Sequence, residues 1–109
     1  DVYLELEKGI ITKISDNTEG EILNNIFNST QKENAKVLAE LGVGFNKKAK
    51  LTGMMLTDEG TAGNIHFGFG SNHTVGGNNK ISFHIDVIIQ QPFMAVDNFY
   101  VIENGRFLI

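Results

Sequence analysis

Asn64-Ile65-His66-Phe67-Gly68-Phe69 and Ile81-Ser82-Phe83-His84-Ile85-Asp86-Val87-Ile88-Ile89 are the stretches that decide the fold. In the first, every second side chain is apolar. Ile65, Phe67 and Phe69 therefore share one face of a strand, and His66 and Gly68 share the other. In the second, Phe83, Ile85 and Val87 point one way while His84, Asp86 and Ile88 point the other. The segment from Ser71 to Lys80 between them holds two glycines and three asparagines and reads as a loop. Pro92 then marks a sheet edge or a strand start. Phe93 to Val96 and Phe99 to Ile102 predict a hairpin across Asp97-Asn98, and Asn104-Gly105 predicts a further turn before Arg106 to Ile109.

Working toward the N-terminus, Val37 to Val43 is a short apolar run interrupted by Glu40. Gly42, Gly44 and Asn46 supply turn chemistry, and Leu51 to Leu56 reads as a strand or a turn. Val2 to Glu7 alternates as a half-buried strand, Lys8-Gly9 turns it, and Ile10 to Ile14 returns beside it until Asp16-Asn17. Thr18 followed by Glu21 has the spacing of a capping box. Ile22, Leu23, Ile26 and Phe27 fall on one helical face behind it. Thr30 and Glu33 repeat the signature before a shorter piece ending near Lys36. The expected class is α+β, mainly antiparallel strands with one or two short helices, in a single domain spanning residues 1–109 without internal repeat or linker.

Composition narrows the function classes. The chain has 109 residues, 41% of them hydrophobic, which is enough for a packed core. Nine basic against thirteen acidic residues give a net charge of -4. Lys47, Lys48 and Lys50 are the only basic cluster and read as a solvated turn, so neither nucleic acid nor an anionic membrane is the expected partner. There is no cysteine, which excludes disulfides and thiolate ligands and accords with a cytoplasmic location. No apolar run approaches the length of a membrane span, and no signal-peptide pattern opens the chain. It begins at Asp1 inside a strand-like segment, as a piece of a longer protein would.

The candidate chemistry lies where the two deciding strands carry polar residues. His84 and Asp86, two apart in a strand, leave one face about 6.6–7 Å apart at the backbone. His66 stands opposite three apolar residues, with Gly68 and Gly70 leaving space beside it. Glu40 is a lone carboxylate in an apolar run, where a charge is costly without a cationic partner. Together they are nitrogen and oxygen donors suited to zinc, manganese, cobalt or iron(II). On spacing alone, His84 and Asp86 also fit a hydrogen-bonded pair on a solvated face. His66 also fits a satisfied structural histidine, and Glu40 an edge-strand side chain pointing to solvent. Gly76-Gly77-Asn78-Asn79 lacks the lysine and helix of a phosphate loop. Ser71 and Ser82 show no base–carboxylate arrangement, and His73 reads as an exposed loop residue. Asn28-Ser29-Thr30 matches a glycosylation acceptor but reads as helix-end chemistry.

From Leu38 to Asp86 the chain resembles the C-terminal part of the aminopeptidase T/aminopeptidase S family of metallopeptidases. The pieces are Glu40-Leu41-Gly42-Val43-Gly44 with Asn46, Leu51-Thr52-Gly53, Asp58-Glu59, Gly63-Asn64-Ile65-His66 with Gly68 and Gly70, Gly76-Gly77, and His84-Ile85-Asp86. The resemblance implies that the chain is a fragment of a larger metallopeptidase-like fold: the C-terminal, metal-ligand-bearing domain of a homodimeric enzyme releasing N-terminal residues from peptides. It implies divalent metal (zinc, cobalt or manganese) on Glu40, His66, His84 and Asp86, and a site role for Glu59. An upstream glutamate ligand would be missing, leaving the fragment inactive by itself. The stretch from Phe67 to Phe83 contains no tyrosine, the loop between His66 and His84 is shorter than in those peptidases, and Gly60 replaces a lysine. The missing tyrosine and the shortened loop favour an alternative on the same fold branch, in which His with His-x-Asp holds a single iron(II) in ring-cleaving dihydroxypyridine dioxygenases. A non-catalytic assembly module, with Phe93 to Val96 at the contact, is the third reading.

Overall fold

Three two-residue turns shape both ends of the chain. At Lys8-Gly9, Asp97-Asn98 and Asn104-Gly105 both central residues have positive φ (53° and 78°, 50° and 72°, 49° and 77°). That is the type I′ geometry, whose twist matches that of paired strands and which glycine and asparagine adopt at least cost. Each turn closes a hairpin anticipated from the residues. The first joins β1 (Leu4–Glu7) to β2 (Ile10–Ile14), the second β6 (Met94–Val96) to β7 (Phe99–Glu103), and the third β7 to β8 (Arg106–Phe107). All three pairings are antiparallel.

A computed structural model describes residues 1–44 and 63–108. Between the hairpins lie α1 (Thr18–Asn28), β3 (Leu38–Val43), β4 (Ile65–Gly70) and β5 (His84–Ile89). The described strands form three sheets, ordered β1-β2, β3-β4-β5 and β6-β7-β8. Val37, just before β3, accepts from the Gly70 N–H at the end of β4, and Gly44 past β3 pairs with Gly63 and Asn64 ahead of β4. Those bonds at opposite ends make β3 and β4 antiparallel. The class is thus α+β with mostly antiparallel strands and one α-helix among the described residues. Among the same residues no helix is long and apolar enough to cross a membrane.

Tertiary contacts divide the chain into two compact units, residues 1–40 with 68–85, and residues 41–67 with 86–109. In the first, the core is aromatic. Phe27 of α1, 1% exposed, meets Phe69 edge-on at 5.8 Å between ring centres and Phe83 at 5.8 Å with tilted planes. Ile11 and Ala35 are buried in the same unit. In the second, Ile65 and Ile102 are buried, and Gly105 N–H donates to the Pro92 carbonyl to tie the β7–β8 turn down.

Several boundaries differ from expectation for local reasons. The cap of α1 is Asn17, whose side-chain oxygen accepts from Gly20 N–H at 2.8 Å, so Thr18 is the first helical residue. The piece at Glu33–Lys36 is a 3₁₀ turn whose cap position is Lys32, which offers no side-chain cap, and Thr30 Oγ1 donates to the Phe27 carbonyl at 2.8 Å instead. Of the expected apolar helix face, Phe27 is buried, whereas Ile22 is 57% exposed. Strand β5 starts at His84 rather than Ile81. The segment Ser71–Lys80 is a built loop with a 3₁₀ turn at His73–Val75. The expected element at Leu51 to Leu56 and the Lys47, Lys48 and Lys50 cluster lie outside the described residues.

Phe27 bridges two other rings, so Phe27→Ala is expected to destabilise the chain by about 3–5 kcal/mol. Ile22→Ala is expected to stay within about 0.5 kcal/mol. Urea denaturation of both variants checks this, and similar losses in the two would contradict the packing described.

Candidate metal centre

Glu40 lies in the middle of β3, and His84 opens β5, with β4 between the two strands in sheet order. Adjacent strands are about 4.8 Å apart, so side chains from β3 and β5 have to reach toward each other to meet. They do: His84 Nε2 stands 3.5 Å from Glu40 Oε1, with both side chains about one-third exposed. Asp86 follows His84 by two residues on β5 and leaves the same strand face. One ligand atom from each of Glu40, His84 and Asp86 lies within 4.8 Å of the other two.

The orientation of His84 has a backbone cause. Its Nδ1 is 2.8 Å from the Ser71 carbonyl oxygen. A carbonyl oxygen only accepts, so Nδ1 carries a proton, and Nε2, facing Glu40 Oε1, is the nitrogen left to meet a metal. Ser71 N–H in turn donates to the Phe83 carbonyl at 2.7 Å, so one residue grips both His84 and its predecessor. A metal-ligating histidine characteristically has its second nitrogen held in this way. Sequence reasoning did not find Ser71, because any residue type supplies a carbonyl and only the approach of the loop to β5 brings this one into place.

Electrostatics favour a cation here. Two carboxylates within 4.8 Å repel by roughly 1 kcal/mol in water and by about 3–4 kcal/mol at the effective dielectric of a protein surface. A divalent ion cancels both charges, and oxygen and imidazole nitrogen are donors that such ions accept. The donor set therefore fits a divalent metal ion.

The remaining candidates are placed differently. His66 in β4 is 8% exposed and stands outside the three-residue group. Its ring lies directly over Gly42 of β3, where any Cβ would overlap the imidazole carbon Cε1. Gly42, expected to serve a turn, instead sits inside a strand to make room for that ring. Glu59, with the Asp58-Glu59 and Leu51-Thr52-Gly53 pieces, lies outside the described residues. His73 is exposed, as expected, and its Nδ1 is 2.7 Å from Ser71 Oγ. A groove of about 460 Å³ lined by residues including Ile10, Phe27, Lys32 and Lys36 contains none of the candidate ligands.

Gly42→Ala is expected to push the His66 ring aside and destabilise the chain by about 1–3 kcal/mol through overpacking. Leu41→Ala, at the neighbouring exposed position, is expected to change stability by no more than about 0.5 kcal/mol. Thermal unfolding of the pair tests the close approach, and a neutral Gly42→Ala would argue against it.

Comparisons with known proteins bear on what such a site does. The family described as NicX, 2,5-dihydroxypyridine 5,6-dioxygenase, matches residues 1–109. A 2,5-dihydroxypyridine 5,6-dioxygenase of Pseudomonas putida (strain KT2440) is 28% identical over 113 residues, covering 95% of this chain. The solved structure of the 2,5-dihydroxypyridine dioxygenase from P. putida KT2440 superposes with a TM-score of 0.80 at 28% identity, over 98% of this chain. The chain spans about one-third of each relative, 32% of the first and 33% of the second. These findings correct the resemblance to the aminopeptidase T/aminopeptidase S family, and with it the reading as a peptidase, protease or other hydrolase. The pieces that carried a function were those with Glu40, His66, His84 and Asp86, and histidine and carboxylate donors serve hydrolytic and oxidative metals alike. Matching along the whole chain separates families that such pieces do not. The missing tyrosine and the short loop before His84 were the departures that had pointed to the dioxygenase branch.

Proposed function

Because the chain belongs to the NicX, 2,5-dihydroxypyridine 5,6-dioxygenase, family, we propose that it carries the metal-binding part of an iron(II)-dependent oxygenase that opens a dihydroxylated pyridine ring. The observation that carries this reading is the Glu40, His84 and Asp86 group, with its ligand atoms within 4.8 Å of one another. The chain has no cysteine, so its ligands are oxygen and nitrogen, a set that suits iron(II). Iron(II) replaces zinc, cobalt and manganese as the expected metal, since the peptidase resemblance that implied those three is overturned.

Each residue has a distinct task in this reading. His84 supplies Nε2, because Nδ1 is committed to the Ser71 carbonyl. Glu40 and Asp86 supply carboxylate oxygens whose two charges balance a divalent ion. Three protein donors leave coordination positions open for small ligands, as the facial triad of iron(II) oxygenases does, here with one histidine and two carboxylates in place of two histidines and one carboxylate. His66, buried beside Gly42 in β4, provides a fixed imidazole outside the donor group. A bound ferrous ion contributes the redox chemistry toward dioxygen that amino-acid side chains lack.

Anaerobic calorimetric titration of the chain with iron(II) tests the metal, with His84→Ala and Asp86→Ala as controls. The expected result is binding that weakens by at least roughly tenfold in each variant. Oxygen uptake with 2,5-dihydroxypyridine, by the iron-loaded protein containing this chain, tests the reaction. A folded chain that ignores iron(II), or binds it equally well without His84, would sink the proposal.

A further inference from the structure

The loop that supplies the Ser71 carbonyl is closed by two asparagines. Asn72 N–H donates to the Asn79 carbonyl at 2.9 Å, and Asn79 N–H donates back to the Asn72 side-chain oxygen at 2.8 Å. The Asn79 side-chain amide then reaches out of the loop. It donates to the Gly70 carbonyl at 2.6 Å and to the Asn34 carbonyl at 2.9 Å, on the 3₁₀ turn at Glu33–Lys36. A primary amide has two N–H donors, and both are used.

Ser71 sits between two residues that Asn79 holds. Gly70 on one side is bound through the Asn79 side chain, and Asn72 on the other through the Asn79 backbone. Ser71 itself accepts from His84 Nδ1 and donates to Phe83. The loop closes tightly only because residue 77 is glycine, as a Cβ there would overlap the Asn72 amide. A stretch rich in asparagine and glycine, which composition marks as a loop, thus forms a rigid mount for one carbonyl oxygen.

Building on the metal-site reading above, we propose that Asn79 is a positioning residue for His84. It pins the Ser71 carbonyl, which fixes the Nδ1–H tautomer and the direction of Nε2 toward the donor group. Asn79 touches neither the donor group nor any reacting atom, and acts through Ser71 alone. The two asparagines have opposite requirements. Asn72 needs only an acceptor oxygen, whereas Asn79 needs two donors.

That asymmetry supplies the test. Nitrogen-15 NMR of the metal-free chain with labelled histidine reads the tautomer, anaerobic iron(II) titration reads affinity, and thermal unfolding reads stability. Asn72→Asp keeps the acceptor and is expected to retain both the Nδ1–H form and native affinity. Asn79→Ala is expected to give a mixture of His84 tautomers and to weaken iron(II) binding by roughly tenfold, when measured well below its melting temperature. If Asn79→Ala fails to fold, Asn79→Ser, which keeps a hydroxyl donor, takes its place with a smaller shift in the same direction. A folded Asn79 variant that is less stable, yet keeps the Nδ1–H tautomer and native affinity, would overturn the proposal and leave Asn79 a loop staple. Loss of the tautomer in a chain that never binds iron(II) would support the hold on His84 and count against the metal reading alone.

Discussion

Phe83 is the residue through which the placement of His84 passes. Its ring packs against Phe27 of the helix, and its carbonyl accepts the Ser71 N–H at 2.7 Å. The next residue along the chain is His84, so the backbone enters β5 from a point held on both its apolar and its polar side. Aromatic packing locates that point without direction, since burial of apolar area is indifferent to small rotations. The hydrogen bonds of Ser71 then add direction, because the carbonyl that receives His84 Nδ1 belongs to the residue whose N–H grips Phe83. The aromatic core and the orientation of His84 are therefore not separable features of the first unit.

A metal site asks for ligand geometry defined more narrowly than a surface loop normally provides. Here the requirement is met by unlike elements. Glu40 and Asp86 come from strands, whose alternation decides the face from which their side chains leave. His84 is exposed and stands at the first position of its strand, where pairing constrains it least. The loop compensates by offering a carbonyl to the inner nitrogen of the ring. The same economy appears at Gly42, where omission of a side chain on β3 admits the His66 ring on β4.

Much of the fold was legible because it rests on local rules. Lys8-Gly9, Asp97-Asn98 and Asn104-Gly105 announce their hairpins, since few residues tolerate two successive positive φ angles. The alternation of Ile65 to Phe69 and of the residues around His84 and Asp86 marked two strands, and the helix ending at Asn28 was visible from its apolar spacing, although its cap is Asn17 and not the expected Thr18. The donor residue types were visible too. Less legible was the family, because short ligand motifs repeat among metalloenzymes of different chemistry. The mistaken peptidase resemblance drew on those motifs, and the match over residues 1–109 corrected it.

The sequence by itself determined which residues could donate to a metal, that sulfur was not among them, and which face of each strand they leave. Those properties follow from side-chain chemistry and the two-residue period of a strand. Only the tertiary structure decided that Glu40, more than forty positions before His84, stands 3.5 Å from it. It alone decided that His66 lies over Gly42, and that a backbone carbonyl from an asparagine-rich loop selects the nitrogen His84 presents. Long-range approach depends on how strands order themselves in a sheet, and a backbone carbonyl has the same chemistry at every residue. Neither leaves a trace in the identity of any single amino acid.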